Sequence, residues 1–493
     1  MSVTPIPIPE NPAPVLTRTD VFIHPDHSRV LIRPFLPASE QRIVKIIARI
    51  LALGESEIDL LRDQVLTDFS NRHQNTKALF LKRFEFVRKY LVTDLELTES
   101  RKVVLGSYFT HEYSLEAAAL FNPSIVPHPD QSALPPGSIR FVLSLRATGE
   151  GHISSITFRT GIVDANNVIT ITTPTPFVTE PQKAEDSSFE KPRFSQQLAE
   201  RGLTGGFIRR TLSLLRETFS LADLESAVGH VLHQLGPTDE AGFTATAILN
   251  LALSSYQVQF PSDQRMSERV LFPSSPNQSH GIEDARFVQF HHEDGTMKYY
   301  ATYTAYDGDN THPQLLVTKD FLTFSFYPLS GAAVLNKGMA LFPRRINGHY
   351  AMLSRQDNEN IYLMYSDDLN FWRTATLIIK PTFSWEFVQL GNCGSPIETE
   401  HGWLVISHGV GPMRKYSIGA YLLDRDDPTK VLGRLVEPLI TPNKEEREGY
   451  VPNVVYSCGA LLHERELIIP YAVSDFSTRF ATISLDAVLA AMV

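Results

Sequence analysis

Most of this chain repeats one short pattern, and that repetition constrains the fold more than any other feature. Successive units begin with FNPSIVPHPD, GIEDARFVQF, GMALFPRRI, GNCGSPIET and VPNVVYSCGALL, and each continues into short apolar strands with a turn between them. The units recur at roughly 50–60 residues wherever no helical block intervenes. Repeated small antiparallel sheets are typical of propeller blades around a central channel. The sequence therefore predicts a mainly β fold, a five-bladed β-propeller.

Two helical regions accompany the repeats. Apolar residues recur at helical spacing from Ser39 to about Leu91, and again from about Pro192 to Tyr256. We therefore expect an N-terminal extension over residues 1–102, proline-rich through about Pro14 and then largely helical. A propeller domain follows over 103–493, with a helical insertion at about 192–256. The extension either packs on the propeller or mediates contacts in a homo-oligomer.

Polar residues stand at equivalent places in the five units, where a purely structural repeat would favour apolar ones. The inner strands of a propeller end on one face, so such residues are expected to meet in one pocket. The unit openings carry Asn122, Asp284, Lys337, Asn392 and Asn453, and the ends of the second strands carry Arg146, Tyr306, Arg355, His408 and Asp475.

Composition narrows the function classes. The formal net charge of −10 argues against a nucleic-acid binder, which needs clustered Lys and Arg. The two cysteines, Cys393 and Cys458, indicate a reducing compartment. The N-terminus is unlike a signal peptide, and no apolar run approaches the length of a membrane span, so a cytoplasmic protein is expected. Histidine spacing of the zinc type, GxSxG and P-loop patterns are absent from the sequence, and no metal or cofactor is predicted.

Several segments together resemble glycoside hydrolase family 130, the β-mannoside phosphorylases and related β-mannosidases. The matching segments run in family order from Asn122 to Asp475: FNPSIV, LSLRATGEG, GIEDARF, TYTAYDG, NKGMALFPRRINGHYAMLSR, YSDDLNFW, GSPIETEHGWLVISHGV, GYVPNVVYSCGA and YAVSD. The resemblance implies a five-bladed propeller, in agreement with the repeats. It also implies an enzyme that acts on an oligosaccharide, with inorganic phosphate as co-substrate and no cofactor.

The resemblance assigns the catalytic acid to Asp284. The family motif E-D-P-R occurs here as Glu283-Asp284-Ala285-Arg286, a change that removes no chemical group. In such enzymes the aspartate protonates the glycosidic oxygen through a sugar hydroxyl, and phosphate attacks the anomeric carbon from the opposite face. The reaction follows the logic of an inverting glycosidase, with phosphate in place of activated water.

The resemblance also implies a phosphate site at Lys337, Arg355 and His408, since phosphate requires positive charge to hold it. An ion pair of Arg355 with Asp357 or Glu359 is the purely structural alternative. Gln389 stands where many phosphorylases of the family have a lysine. The positions that match the mannose pocket are Asn122, Arg146, Asp475 and either Tyr303 or Tyr306.

These residues predict inverting phosphorolysis of β-1,2- or β-1,4-linked manno-oligosaccharides to α-mannose 1-phosphate. Hydrolysis on the same fold is the alternative. A water-activating base would then be one of four carboxylates: Glu386, Glu398, Glu446 or Glu448. A third alternative is a non-catalytic glycan-binding propeller that uses its helical regions as a docking surface.

Overall fold

The computed structural model describes residues 15–184, 188–236 and 238–493, and this part of the chain is mainly β. The proline-rich start through about Pro14 lies outside the described residues. Where the sequence predicted a helical extension, four helices lie between the second and third strands of the chain, and the first strand precedes them. Their bounds are β1 (Thr17–Ile23), β2 (Val30–Pro34), α1 (Glu40–Leu51), α2 (Glu55–Phe69), α3 (Thr76–Val87), α4 (Glu99–Tyr108) and β3 (Thr110–Ser114).

The helices form where capping and apolar spacing coincide. Ser39 caps α1 by accepting a hydrogen bond from the amide of Arg42, and Ile43, Ile47 and Ile50 form its buried face. Strand β2 precedes the helical group in the chain and β3 follows it, and the two strands pair with each other. Helix α4 runs on to Tyr108, so the helical group extends past residue 102.

The strands that follow form five antiparallel groups, which we name A to E in chain order. Group A contains β4 (Ala119–Pro127), β5 (Ile139–Thr148), β6 (Ser154–Val163) and β7 (Ile169–Ile171). An inserted region follows, with β8 (Gln182–Lys183), β9 (Ser188–Glu190), α5 (Lys191–Glu200), α6 (Gly206–Leu214), β10 (Thr218–Ser220), α7 (Leu221–Leu235), α8 (Asp239–Leu253), β11 (Tyr256–Gln259) and β12 (Val270–Leu271).

The other four groups have the same plan. Group B contains β13 (Gly281–His291), β14 (Met297–Tyr306), β15 (Thr311–Thr318) and β16 (Thr323–Pro328). Group C contains β17 (Ala340–Leu341), β18 (Tyr350–Ser354), β19 (Ile361–Ser366) and β20 (Thr376–Ile379). Group D contains β21 (Gln389–Asn392), β22 (Ile397–Thr399), β23 (Gly402–Val410), β24 (Tyr416–Leu423) and β25 (Val431–Arg434). Group E contains β26 (Val455–Tyr456), β27 (Leu461–His463), β28 (Glu466–Val473) and β29 (Ser477–Ser484), and α9 (Leu485–Ala490) follows it.

The N-terminal strand completes the last group. Group E has the strand order β26-β28-β29-β1, so its outermost strand comes from the start of the chain. Pairing between the first and last strands ties the two ends of the chain together. The sequence predicted short strands in this region without indicating their partners.

Hydrogen bonds join the five groups into a closed series. The amide of Phe287 in B donates to Ser124 Oγ in A, and Thr302 in B bonds to the carbonyl of Met339, just before C. Asn392 Nδ2 in D donates to the carbonyl of Gly338, 2.9 Å away, and the amide of Tyr416 donates to Asn453 just before E. The series closes where the amide of Cys458, just after β26, donates to the carbonyl of Pro123 in A at 2.8 Å.

The inserted helices have a core of their own and dock on group B. Phe194, Ile208, Leu224 and Ile248 are among its buried residues. Strand β11, at the end of the insertion, pairs with β16. The insertion therefore extends the outer edge of group B. Within the described residues, no helix combines the length and apolar character that crossing a membrane requires.

A buried ion triad fastens the N-terminal region to group A. Glu116 is fully buried, with its Oε1 atom 3.1 Å from Arg29 Nε and 2.8 Å from Arg159 Nη2. The amide of Asp26 donates to the second carboxylate oxygen. Burial, reinforced by the charge of Arg159, lowers the pKa of Arg29 to about 10. One carboxylate therefore balances two desolvated guanidinium groups.

We expect Glu116→Ala to destabilise the fold strongly, because it leaves two buried cations without a counter-charge. The expected loss of unfolding free energy is about 3–5 kcal/mol. Urea denaturation followed by tryptophan fluorescence measures it. Glu85→Ala is the matched control, since Glu85 pairs with Arg88 on an exposed helix surface and such pairs contribute little. Equal losses in the two variants would contradict the importance of the triad.

Candidate active site

Backbone conformation brings the first two predicted residues together. Asn122 (φ 48°) and Asp284 (φ 53°) are both in the left-handed region, and each lies where the register of its inner strand shifts. Asn and Asp tolerate this conformation better than most residues, and such strain is concentrated at functional sites. The result is a hydrogen bond of 2.7 Å from Asn122 Nδ2 to Asp284 Oδ1.

Cations surround the buried carboxylate of Asp284. Arg146 Nη1 lies 3.4 Å from Asp284 Oδ1, and Arg286 donates to the backbone carbonyl of Asp284. The adjacent Glu283 receives a bond of 2.7 Å from Arg146 Nη2, and its other oxygen lies 3.9 Å from Lys337 Nζ. Two consecutive acidic residues, Glu283 and Asp284, thus share Arg146 as their cationic partner.

The environment separates the pKa values of two nearby carboxyl groups. Burial alone would raise the pKa of Asp284, but Arg146, Arg286, Lys337 and the Asn122 hydrogen bond outweigh it and lower that pKa. Burial and the negative charge of Asp284 raise the pKa of Asp475 to about 6. Titratable groups with divergent pKa values in one cleft mark a candidate for acid–base chemistry.

A second set of predicted residues forms a cationic, polar pair. Arg355 Nη1 lies 3.0 Å from His408 Nε2, and Gln389 Nε2 lies 3.5 Å from the same nitrogen. Burial, together with the charges of Arg355 and Arg286, lowers the pKa of His408 well below its ordinary value. His408 is therefore neutral, and its Nε2 accepts a hydrogen bond from Arg355 Nη1.

Arg355 is a buried cation without a carboxylate partner among the described residues. It is 5% exposed, and its Nε atom has no hydrogen-bond partner within the described part of the chain. The ion pair with Asp357 or Glu359 is not formed, because Asp357 instead accepts from Asn360 and Tyr362. A buried guanidinium with a free donor is suited to hold an anion.

The remaining predicted residues divide between the site and its surroundings. Asp475, which follows another left-handed residue, Ser474, lies within reach of the charges of Arg146 and Lys337. Tyr303 is buried in the apolar core, with its hydroxyl bonded to Gln278 and Gln314, so the structure does not bring it to Asp284. Tyr306 bonds to the carbonyl of Gly308 at the end of β14.

Sequence reasoning did not assign roles to Glu283, Arg286 and Tyr456. Arg286 donates to the Cys393 carbonyl at 2.9 Å and to the Tyr456 hydroxyl at 2.7 Å. The sequence signal that could have identified Glu283 and Arg286 is their position: they are charged residues on either side of Asp284-Ala285 within a mostly apolar strand. Such charges need partners when buried, and here the partners come from groups A, D and E.

The four carboxylates considered as bases are placed elsewhere or held by arginines. Glu386 pairs with Arg434 at 2.7 Å, and Glu398 pairs with Arg344 at 2.7 Å. Glu446 lies 3.1 Å from Arg18 Nε on the N-terminal strand. Glu448 is exposed.

Comparison with known proteins gives consistent matches. The profile of glycoside hydrolase family 130, described as beta-1,4-mannooligosaccharide phosphorylase, matches residues 241–493. The 1,2-beta-oligomannan phosphorylase of Thermoanaerobacter sp. (strain X514) is 34% identical over 235 residues, covering 46% of this chain and 75% of that protein. The beta-1,2-mannobiose phosphorylase of Listeria innocua serovar 6a (strain ATCC BAA-680 / CLIP 11262) is 31% identical over 254 residues, covering 50% of this chain and 69% of that protein.

A solved structure also resembles this chain. The beta-1,2-mannobiose phosphorylase from Listeria innocua, in complex with beta-1,2-mannobiose, is 24% identical with a TM-score of 0.46. The match covers 76% of this chain and 92% of that one.

We expect Asp475→Asn to stabilise the protein at neutral pH. Below about pH 4 the folded and unfolded chains both carry the proton, and between about 4 and 6 only the folded chain does. Above about 6 the folded chain must bury a charge that the unfolded chain exposes. The advantage of the Asn variant should therefore grow from pH 4 to 6, reach about 1–3 kcal/mol and then stay constant. Urea denaturation across this range measures it, and a pH-independent difference would contradict the raised pKa.

Proposed function

Because the chain belongs to glycoside hydrolase family 130, we propose that it cleaves β-linked mannosides by phosphorolysis with inversion, releasing α-mannose 1-phosphate. One observation carries the proposal for this chain's own residues. The buried carboxylate of Asp284 lies within electrostatic reach of Lys337 and of Arg355, a buried cation without a carboxylate partner among the described residues. An acid and an anion-binding group in one cleft are what phosphorolysis requires.

We interpret groups A to E as five propeller blades. Each has a path of four antiparallel strands, and the fourth strand of E is β1. Groups D and E have one additional short strand each, β22 and β27, which pairs beside this path. The hydrogen bonds between neighbouring groups, including the one from Cys458 to Pro123, support a closed ring. In that arrangement the inner strands β4 and β13 place Asn122 and Asp284 side by side at the channel.

Asp284 serves as the acid in this proposal. The bond from the anomeric carbon to the leaving oxygen breaks, a phosphate oxygen bonds to that carbon, and the leaving oxygen takes a proton that Asp284 delivers through a sugar hydroxyl. Arg146, Arg286 and Lys337 keep Asp284 ionised in the free protein. Bound phosphate would offset these positive charges and raise the proton affinity of Asp284, so acid and nucleophile would be assembled together.

Lys337, Arg355 and His408 hold the phosphate. Arg355 supplies a buried, permanently charged donor, and His408 orients it through their 3.0 Å contact. Lys337 has a 40% exposed side chain, so its ammonium group is accessible to phosphate that arrives from solvent. Phosphate is already a charged nucleophile, so this reaction needs neither a general base nor a cofactor.

Asn122, Arg146 and Asp475 bind the mannosyl residue. Asn122 Oδ1 is buried and has no partner among the described residues, so it can accept a bond from a sugar hydroxyl. Of the two tyrosines, Tyr306 stays in the proposal, because Tyr303 is buried in the apolar core. A linkage of the β-1,2 or β-1,4 type is part of the proposal, as is a cytoplasmic location, which the free buried thiols of Cys393 and Cys458 support.

Hydrolysis finds less support in the described residues. An inverting hydrolase needs a second, unpaired carboxylate to activate water. Glu386, Glu398 and Glu446 are neutralised by arginines. Glu448, the fourth candidate, is exposed and has no ion pair among the described residues, so it is the carboxylate that a hydrolytic reaction would use.

We expect mannose 1-phosphate to form from β-manno-oligosaccharides only when phosphate is added. Asp284→Asn should lower kcat about 10²- to 10⁴-fold, the usual contribution of a general acid. Enzymatic detection of mannose 1-phosphate, with and without phosphate, measures both effects. Free mannose released at equal rates without phosphate would favour hydrolysis, and full activity of the Asn variant would remove Asp284 as the acid.

We expect Lys337→Ala to weaken phosphate binding selectively. A charge-assisted contact contributes about 1.5–3 kcal/mol, so the KM for phosphate should rise about 10- to 100-fold. The KM for the mannoside should change much less. Lys337→Arg is the control that retains the charge, and an equal rise of both KM values in Lys337→Ala would argue against a phosphate contact.

A further inference from the structure

Two loops of the molecule share an unusual backbone. The turn after β5, Gly149–Ile153, and the turn after β23, Gly411–Lys415, are each closed by a bond from the first amide to the fifth carbonyl. The third and fourth residues of both are left-handed: Gly151 and His152 in one (φ 68° and 60°), Met413 and Arg414 in the other (φ 60° and 51°). We call these the A corner and the D corner.

Each corner follows a residue of the candidate site at the same distance. Arg146 precedes the A corner by three residues, and His408 precedes the D corner by three. The A corner is also fixed to Arg146 directly, since Arg146 Nε donates to Ser154 Oγ at 2.9 Å. Non-glycine residues in this conformation cost free energy and persist where the structure requires them, often at ligand sites.

At the A corner the strained residue presents an aromatic pair. The hydroxyl of Tyr450 lies 3.1 Å from His152 Nδ1, and the two ring centroids are 5.9 Å apart with a tilt of 32°. Both residues are exposed, Tyr450 at 53%. The hydrogen bond therefore fixes the Tyr450 ring in a solvent-exposed position, where the ring gains little free energy from burial.

Tyr450 is anchored next to Asp475. A Cβ atom on the neighbouring Gly449 would lie 2.6 Å from Ser474 Cβ, so only glycine allows this approach. The amide of Val451 donates to the carbonyl of Ser474 at 2.9 Å. The aromatic pair thus bridges the two segments that carry Arg146 and Asp475, and it lies on the group A and E side of the cleft.

The geometry points to a platform for the sugar on the leaving-group side. Inversion places nucleophile and leaving group on opposite faces of the anomeric carbon. Lys337, Arg355 and His408 belong to the segments of groups C and D, whereas the His152–Tyr450 pair joins the segments of groups A and E that carry Arg146 and Asp475. We propose that this pair binds the acceptor sugar of the β-mannoside, an inference that rests on the proposed function. The C–H face of the pyranose packs on the Tyr450 ring, and His152 Nε2 bonds to a hydroxyl.

The test measures acceptor binding separately from mannosyl binding. In the synthetic direction, with mannose 1-phosphate as donor and a β-manno-oligosaccharide as acceptor, Tyr450→Ala should raise the acceptor KM about tenfold, as expected from losing one aromatic contact. The KM for mannose 1-phosphate should stay within about twofold of the wild-type value, because Tyr450 does not contact the mannosyl donor in this proposal. Tyr450→Phe, which retains the ring, should recover most of the acceptor affinity.

Tyr327→Ala is the matched control, because Tyr327 is an exposed tyrosine on the outer strand β16. It should leave both KM values unchanged. Thermal melting of every variant separates misfolding from lost binding. An unchanged acceptor KM in folded Tyr450→Ala, or an equal rise in both KM values, overturns the platform.

The platform and the proposed function can fail separately. If the wild-type protein neither makes nor consumes mannose 1-phosphate, the proposed function fails. Saturation-transfer NMR with β-1,2- and β-1,4-mannotriose then tests the platform alone. Contact of the reducing-end sugars with the wild type that Tyr450→Ala loses supports it, and no difference between the two proteins rejects it.

Discussion

The guanidinium of Arg286 is the interaction on which the centre of this molecule depends. It is 3% exposed, and its three nitrogens donate to the Asp284 carbonyl, the Cys393 carbonyl and the Tyr456 hydroxyl. Burying a guanidinium is costly unless every donor finds an acceptor. These acceptors come from groups B, D and E, so the charge is satisfied only when the three inner strands are in place. The same contact is made to the carbonyl of Asp284, whose backbone is left-handed, and so links the fold to the proposed acid.

The outer parts of the chain stabilise the centre through similar buried charges. Arg18 on β1 reaches Glu446, which also accepts from the Tyr471 hydroxyl at 2.7 Å. The carbonyl of Glu446 accepts from Ser474 Oγ at 2.7 Å, one residue before Asp475. The N-terminal strand therefore closes the last group and also supports the turn that carries a predicted sugar ligand. The sequence predicts that the extension packs on the propeller or mediates oligomer contacts. In the structure its strand β1 packs on group E and supports this turn through Glu446.

The sequence predicts the broad features well because repetition and apolar spacing are local signals. Five strand groups and two helical regions follow from them, and equivalence among repeats brings Asn122 to Asp284. The same equivalence also predicted Asn392 in the pocket, but its amide donates to the backbone carbonyl of Gly338 and joins groups C and D. Tyr303 and Tyr306 illustrate the limit: a strand has two faces, and only packing decides that Tyr303 faces the core. The sequence also could not predict that Arg355 lacks a carboxylate partner. That outcome depends on Asp357 accepting hydrogen bonds from Asn360 and Tyr362 instead.

The two corners show how a repeated fold produces an asymmetric site. The A and D corners have the same backbone, and the residues three positions before them, Arg146 and His408, both lie within electrostatic reach of Asp284. In A that residue is the charged Arg146, paired with Glu283; in D it is the neutral His408, which leaves Arg355 without a counter-charge. Positive charge is thus compensated on one side and available on the other. Under the proposed function, the phosphate anion binds on the uncompensated side and the neutral sugar on the compensated side.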